Sequence, residues 1–247
     1  MRTATFTFHG VLNDFLKPSK RGKHVAYTFD GSPAVKDAIE AIGVPHPEVA
    51  AILHNKVPVF FSHPLQPNGH VHVFPAGPEL DLPEGYTLAA MPSRPYRFVL
   101  DVHLGTLAST LRMLGFDTLY DTNYSDKEIA HIAQQEQRIV LTRDIVLLKQ
   151  KVIVHGYWLR SQHKTEQAKE VIRRFNLHQE ISPFKLCLRC NGAVRPIPKE
   201  QVLDELPTKT QLYFQEFYQC TVCHKVYWKG SHYEHMQAFI EELKQES

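Results

Sequence analysis

All four cysteines of this 247-residue chain fall in two pairs of one spacing, Cys187-Leu188-Arg189-Cys190 and Cys220-Thr221-Val222-Cys223. Two such knuckles supply four thiolates, the donor set of a tetrahedral Zn²⁺ site, and four protein ligands leave no position open for a substrate. The spacing predicts a structural zinc ribbon held by Cys187, Cys190, Cys220 and Cys223. Twenty-nine residues separate the pairs, more than the roughly 15–20 of a compact ribbon, so an inserted hairpin or helix is expected around residues 199–206. Disulfides would need an oxidising compartment. The N-terminus alternates polar and apolar residues and lacks the apolar stretch of roughly 7–15 residues that an export signal carries. The expected setting is therefore the cytoplasm, with metal-bound thiolates. Cys220-Thr221-Val222-Cys223-His224 also spells a haem-attachment motif, but haem attachment would require export and would leave the first pair unexplained.

Carboxylates form the second set of donors. Asp101 follows the apolar run Phe98-Val99-Leu100, Asp144 follows Ile139-Val140-Leu141-Thr142-Arg143, and Asp126 and Glu128 come just after Ser125. If those runs are strands of a parallel sheet, all four acids lie at its carboxyl edge, where open α/β sheets bind ligands. Clustered carboxylates repel one another unless a cation neutralises them. Hard oxygen donors suit Mg²⁺ or Mn²⁺, and ions so held activate water and stabilise in-line displacement at a phosphodiester. Structural roles compete for the same residues. Glu128, three residues after Ser125, fits a capping box; Asp126 favours a helix N-terminus by charge alone; Asp121 reads as a turn residue. From Lys149 to Arg174 seven Lys and Arg face only Glu166 and Glu170. Such a stretch attracts a polyanion or is a solvated helix face. Arg143, Lys149 and Arg160 are the candidates for phosphate contact.

The elements that must position these acids read as an alternation. Leu104, Leu107, Ala108, Leu111 and Leu114 repeat at helical spacing and Gly115 closes the helix. Residues 118–121 form a second short strand, and Ser125 caps a helix that buries Ile129, Ala130, Ile132 and Ala133. Residues 138–142 are a third strand, 145–148 an apolar helical turn, and 152–154 begin a fourth strand. Thr165 caps a helix bearing Ala168, Val171, Ile172 and Phe175. Strands alternating with helices imply a parallel sheet covered on both faces. Proline agrees: of 16, twelve lie between Pro18 and Pro95 and four between Pro183 and Pro207, and the gap suits central strands and helix interiors, which exclude proline. The formal net charge of +2 resolves into −1 over residues 1–93, +4 over 94–185 and −1 over 186–247. No apolar run reaches the roughly 18–20 residues of a membrane span.

Ahead of this segment, residues 3–8 and 24–29 alternate around a polar turn and read as a hairpin. Ser32 as N-cap and Pro33 at N1 precede Val35, Ala38, Ile39 and Ile42, with Gly43 as the stop. Strands over 49–53, 57–61 and 71–74 complete a β-grasp order. His54-Asn55-Lys56-Val57-Pro58 and Asn68-Gly69-His70-Val71-His72 resemble a ubiquitin-like sulfur-carrier domain. The free Gly-Gly tail of a carrier is replaced by Ala76-Gly77-Pro78-Glu79, so carrier activity is not expected. His70 and His72 share one strand face, but two ligands do not complete a metal site, and they read as an exposed or packed strand face. Residues 79–94 read as a linker. At the other end, Tyr213, Phe214, Phe217, Tyr218, Tyr227, Trp228 and Tyr233 crowd the ribbon, as a small core in preference to base-stacking rings. Met236, Phe239, Ile240 and Leu243 give a closing amphipathic helix.

Arg97-Phe98-Val99-Leu100-Asp101, Leu111-Arg112-Met113-Leu114-Gly115-Phe116-Asp117-Thr118, Asp126-Lys127-Glu128, Leu141-Thr142-Arg143-Asp144, Tyr157-Trp158-Leu159-Arg160-Ser161 and the cysteine pairs together resemble the Mut-seven C-terminal RNase domain family. The resemblance spans essentially the whole chain and includes the ubiquitin-like module in front. It implies a PIN-like α/β/α nuclease fold and a metal-dependent ribonuclease, with Asp101, Asp126 and Asp144 as Mg²⁺ or Mn²⁺ ligands and Glu128 beside them. PIN nucleases often carry a fourth acid after the next strand, where this chain has Arg160-Ser161-Gln162-His163. The expected organisation is a β-grasp domain with linker over 1–92, a nuclease domain over 93–182, and a zinc ribbon with a C-terminal helix over 183–247. Expected partners are RNA, including tRNA or other structured RNA, and a protein bound through the ubiquitin-like domain; no membrane is expected. The alternatives are a non-catalytic RNA-binding adaptor on a degenerate fold and, ranked below it, a phosphoacceptor domain, which would leave Asp144 and the cysteines without a role.

Overall fold

A computed structural model of the chain describes residues 1–75 and 86–245; residues 79–85 of the expected linker lie outside the described residues. The N-terminal module is a five-stranded sheet in the order β2-β1-β5-β3-β4. Strand β1 (Arg2–Phe8) pairs antiparallel with β2 (Val25–Phe29). Helix α1 (Val35–Ile42) follows, then β3 (Val49–His54), β4 (Val57–Pro58) and β5 (His70–Pro75), with β5 parallel to β1. Alternation sets the faces: Phe6, Phe8, Val71 and Val73 point into a core with Ile39 and Ile52, while the residues between them point outward.

The start of α1 differs from expectation. The N-cap is Ala34, without a side-chain cap. The orphan amides of Val35 and Lys36 bond instead to the carbonyls of His63 and Phe61. A Ser cap contributes about 1 kcal/mol, and these tertiary acceptors make it unnecessary. Gly43 does end the helix, in a backbone conformation (φ 139°) that side chains avoid.

The middle segment alternates as expected: β6 (Phe98–Leu100), α2 (Gly105–Met113), β7 (Thr118–Leu119), α3 (Asp126–Glu136), β8 (Ile139–Thr142), α4 (Ile145–Leu148), β9 (Gly156–Trp158) and α5 (Lys164–Phe175). β6 runs parallel to β7, and β8 parallel to β9. Every residue of β6 and β8 is buried, which suits parallel strands covered on both faces. Two boundaries move. The fourth strand is 156–158 rather than 152–154, because Ile153 alone of that run is buried while Val152 and Val154 are exposed. Helix α5 starts after His163 rather than at a Thr165 cap: the His163 amide bonds to Ser161 Oγ, and the His163 carbonyl accepts the Gln167 amide.

The C-terminal segment has an antiparallel sheet of β10 (Val194–Ile197), β11 (Phe217–Cys220) and β12 (Val226–Trp228). The long gap between the cysteine pairs holds two 3-10 turns, Lys199–Gln201 and Leu203–Glu205, and α6 (Thr208–Tyr213). Helix α7 (Ser231–Gln245) closes the described chain and buries Ile240 and Leu243. No helix among the described residues is long and apolar enough to cross a membrane.

The chain divides into two compact units that interleave along the sequence, Met1–Ser93 with Asp126–Trp158, and Arg94–Ser125 with Leu159–Ser247. In the first, the β-grasp module is bonded to the β8-α4-β9 segment. Glu48, 2% exposed, accepts the Trp158 amide at 2.6 Å, and the Phe15 ring lies 5.2 Å from that of Trp158. In the second, Arg112 of α2 joins the ribbon to β7. Its buried guanidinium donates to the carbonyls of Thr118, Leu188 and Arg189. Asn191 adds a bond from its side chain to Asp117 and accepts the Thr118 amide. Gly115 is required where it stands, since a Cβ at its φ of 96° would lie 2.2 Å from the Ser182 carbonyl oxygen. Replacing Arg112 by Met keeps the stem but takes a donor from three carbonyls, of which Leu188 keeps the Ser109 hydroxyl. Arg112→Met is expected to lower unfolding free energy by about 2–3 kcal/mol, read from the midpoint of denaturant unfolding.

Candidate functional site

The four cysteines converge. Their sulfurs all lie within 4.8 Å of one another, with Cys187 to Cys223 at 3.5 Å and Cys190 to Cys220 at 3.4 Å. Sulfurs about 2.3 Å from a tetrahedral metal would be roughly 3.8 Å apart, so the cage fits the ion that the spacing predicts. The knuckles match in backbone detail. Asn191 and His224, each just past the second cysteine, take left-handed conformations, and their amides return to the carbonyls of Cys187 and Cys220. His224, which completes the haem-like motif, is an exposed turn residue. A Cβ on Gly192 would lie 3.0 Å from Cys220 Sγ and 2.7 Å from Val222 Cγ2, so the knuckle needs glycine there.

Four sulfurs this close cannot all ionise without a cation. Burial opposes ionisation of Cys187, but hydrogen bonds from the Tyr227 hydroxyl and from the Cys190 and Arg189 amides bring its thiol down to about 6. Burial pushes the Cys190 thiol up, and the neighbouring sulfurs push the same way. The Tyr227 hydroxyl sits 3.1 Å from Cys187 Sγ and 3.2 Å from the Leu188 amide. It is the second-layer support of the cage, a residue that the sequence offers only as one aromatic among several.

Each predicted carboxylate stands where a strand or helix begins or ends. Asp101 follows β6, is 5% exposed, and accepts the His103 amide on Oδ1 at 2.8 Å. Asp144 follows β8 and N-caps α4, accepting the Val146 amide at 2.7 Å. Asp126 and Glu128 are exposed in the first turn of α3. Asp101 belongs to one compact unit, and Asp126, Glu128 and Asp144 to the other. Of the basic candidates, Lys149 donates to the Glu40 carbonyl at 2.7 Å. Arg143 accepts the Trp158 indole on its carbonyl, and the Arg160 amide is held by Glu170. Asp121 accepts the Asn123 amide, the turn role expected of it.

Glu170 was not singled out by the sequence. It projects from α5 so that its two carboxylate oxygens accept the amides of Arg160 and Ser161 at 2.9 and 3.1 Å. The acid-free stretch after β9 therefore receives a carboxylate from ten residues further on. No periodicity marks this, because the bond closes between a helix face and the preceding loop.

The ribbon aromatics divide between two roles. Phe214, Phe217 and Trp228 pack with Val202 and Leu206 as the expected core. Tyr218, Tyr227 and Tyr233 line a cavity of about 380 Å³ with Phe184, Met236 and Lys229, and Tyr213 is 76% exposed. The cage depends on one of these rings for more than packing. Tyr227→Phe removes a donor to Cys187 and is expected to weaken metal retention roughly 10- to 100-fold, the usual scale for a second-layer partner, as read by chelator competition.

Comparison with known proteins adds to this geometry. Residues 1–81 match the Mut7-C ubiquitin family, and residues 96–240 match the Mut7-C RNAse domain family. Over 109 residues the chain is 37% identical to the human (Homo sapiens) protein named exonuclease mut-7 homolog, covering 41% of this chain and 12% of that protein. The chain thus matches a small part of that relative's length. No solved structure matches. With the family match spanning more than half of its length, the chain belongs to the Mut7-C RNAse domain family.

Proposed function

We propose that the chain is a metal-dependent ribonuclease in which Asp101, Asp126 and Asp144 hold Mg²⁺ or Mn²⁺, with Glu128 in support. The observation that carries this reading is Asp101, buried at the end of the parallel strand β6 with the His103 amide on its carboxylate, in a chain of the RNAse domain family. Carboxylates brought together repel one another unless a cation neutralises them. Hard oxygen donors at strand ends, here after β6 and β8, suit such a cation, which when bound would activate water and neutralise charge on the phosphodiester. Asp144 also caps α4, so its carboxylate is held by the Val146 amide before any ligand arrives. Arg143 and Arg160 are the proposed phosphate contacts. Lys149, whose ammonium gives one of its three protons to the Glu40 carbonyl, is the third.

The cysteine cage is proposed to hold Zn²⁺ with a structural role. Arg112 and Asn191 bond the first knuckle to α2 and β7, so the ion would brace the unit that carries Asp101. The cavity beside it, lined by Tyr218, Tyr227 and Tyr233, is the proposed place for aromatic contact with RNA bases. Structured RNA, including tRNA, is the proposed substrate class, the cytoplasm the proposed location, and the ubiquitin-like domain the proposed contact for a protein partner.

Labelled single-stranded and structured RNA should be cut in Mn²⁺ and left intact in EDTA. Asp101→Asn and Asp144→Asn keep an acceptor for the His103 and Val146 amides and remove only the charge. Each should slow cleavage by roughly 100-fold or more, the scale on which losing one electrostatic stabiliser acts. Cleavage that survives both substitutions excludes this site. RNA binding without metal-dependent cleavage replaces the enzyme with a binding adaptor. Elemental analysis of protein purified reduced and without chelator should find about one zinc per chain in the cage, and Cys220→Ser should abolish it.

A further inference from the structure

The outer face of the β-grasp sheet carries four of the chain's 15 histidines in one row. His70 and His72 alternate on β5, the parallel register sets Thr7 opposite His72, and His9 follows the end of β1. Ring centroids are 5.1 Å apart for His24 and His70, 4.7 Å for His70 and His72, and 5.3 Å for His72 and His9. Phe74 closes the row, stacked on His9 at 4.1 Å and 7°. The sequence shows only the His-x-His pair of one strand. Folding adds His9 and His24 from remote positions.

The rings from His70 to Phe74 stack on one another, so neighbours cover much of their faces. What the row leaves for a ligand is ring edges, and the edge of an imidazole is a nitrogen lone pair. That suits coordination better than base stacking. His9 Nε2 and His72 Nδ1 are 3.0 Å apart. Two nitrogens about 2.0–2.1 Å from a tetrahedral ion lie roughly 3.3 Å apart, so this hydrogen-bonded pair comes close to a metal's bite, and the proton between them moves to its own ring's other nitrogen when both ligate. His24 Nδ1 and His70 Nε2 both turn to the Thr7 hydroxyl, at 2.8 and 3.1 Å. That hydroxyl has one proton to give, so at most one of the two imidazoles can receive it. His70 is only half-buried and can rotate away from Thr7.

We propose that His9 and His72, joined by His70 as it turns from Thr7, bind one divalent ion of the imidazole-preferring class, zinc above all. Among the described residues only the four cysteines already hold three or more donors within 4.8 Å. The histidine site is therefore completed by ring rotation on binding. This assignment is independent of the nuclease reading.

The test uses the full chain with its cysteine cage loaded, titrated with Zn²⁺ against a weak competing chelator. Wild-type protein should take up about one zinc beyond the cage ion. His9→Ala and His72→Ala should each weaken that second uptake roughly tenfold or more, with the cage ion retained. The imidazole nitrogen resonances of His9, His70 and His72 should shift together on addition of zinc. A wild-type chain that takes up no second ion overturns the proposal. So does a second uptake that both substitutions leave unchanged, or imidazole resonances that do not move.

Discussion

A guanidinium in the middle of an apolar helix face must find acceptors, and much of the second unit is arranged around that need. Arg112 lies between Leu111 and Met113 on α2, and all three side chains are buried. Its donors reach the end of β7 on one side and two carbonyls of the Cys187 knuckle on the other. Ser109 and Asn191 bond across the same junction. A metal that shapes the knuckle thereby also fixes where those carbonyls point. The cage stands directly behind the helix that follows Asp101.

Polar groups, more than apolar ones, account for the differences between sequence and structure. The runs Phe98-Val99-Leu100 and Ile139-Val140-Leu141 could be read as buried strands because every side chain is apolar, and the cysteine pairs because thiolate spacing is nearly unambiguous. The starts of α1 and α5 depart from their local cap signals because tertiary carbonyls and a serine hydroxyl satisfy amides that a local cap would otherwise serve. The fourth strand was placed four residues early because Val152-Ile153-Val154 has strand composition but only one inward residue. Glu170 and the histidine row were not legible, since each is assembled across elements.

The same contrast holds at the candidate site. The strand-end placement of Asp101 and Asp144 is legible because each follows an apolar run, and Asp101 also takes a local role in accepting the His103 amide. Asp144 has one too, as the cap of α4. A single carboxylate can serve fold and chemistry together when its two oxygens divide the work, and an amide at that position separates the two. Glu170 shows the other case: both of its oxygens bond backbone amides, so it fixes the loop after β9.

The interleaving of the two units bears on how the chain is made. The β-grasp module is made before β9, but Glu48 accepts the Trp158 amide and the Phe15 ring packs beside that of Trp158, more than a hundred residues later. Between them the chain passes through residues 94–125 of the other unit. During synthesis, then, the bond from the Trp158 amide to Glu48 can form only after β9 is extruded. A cut after residue 93 would leave that acid and the Trp158 amide on different polypeptides, and with them the two ends of the hydrogen bond that joins the β-grasp module to β9.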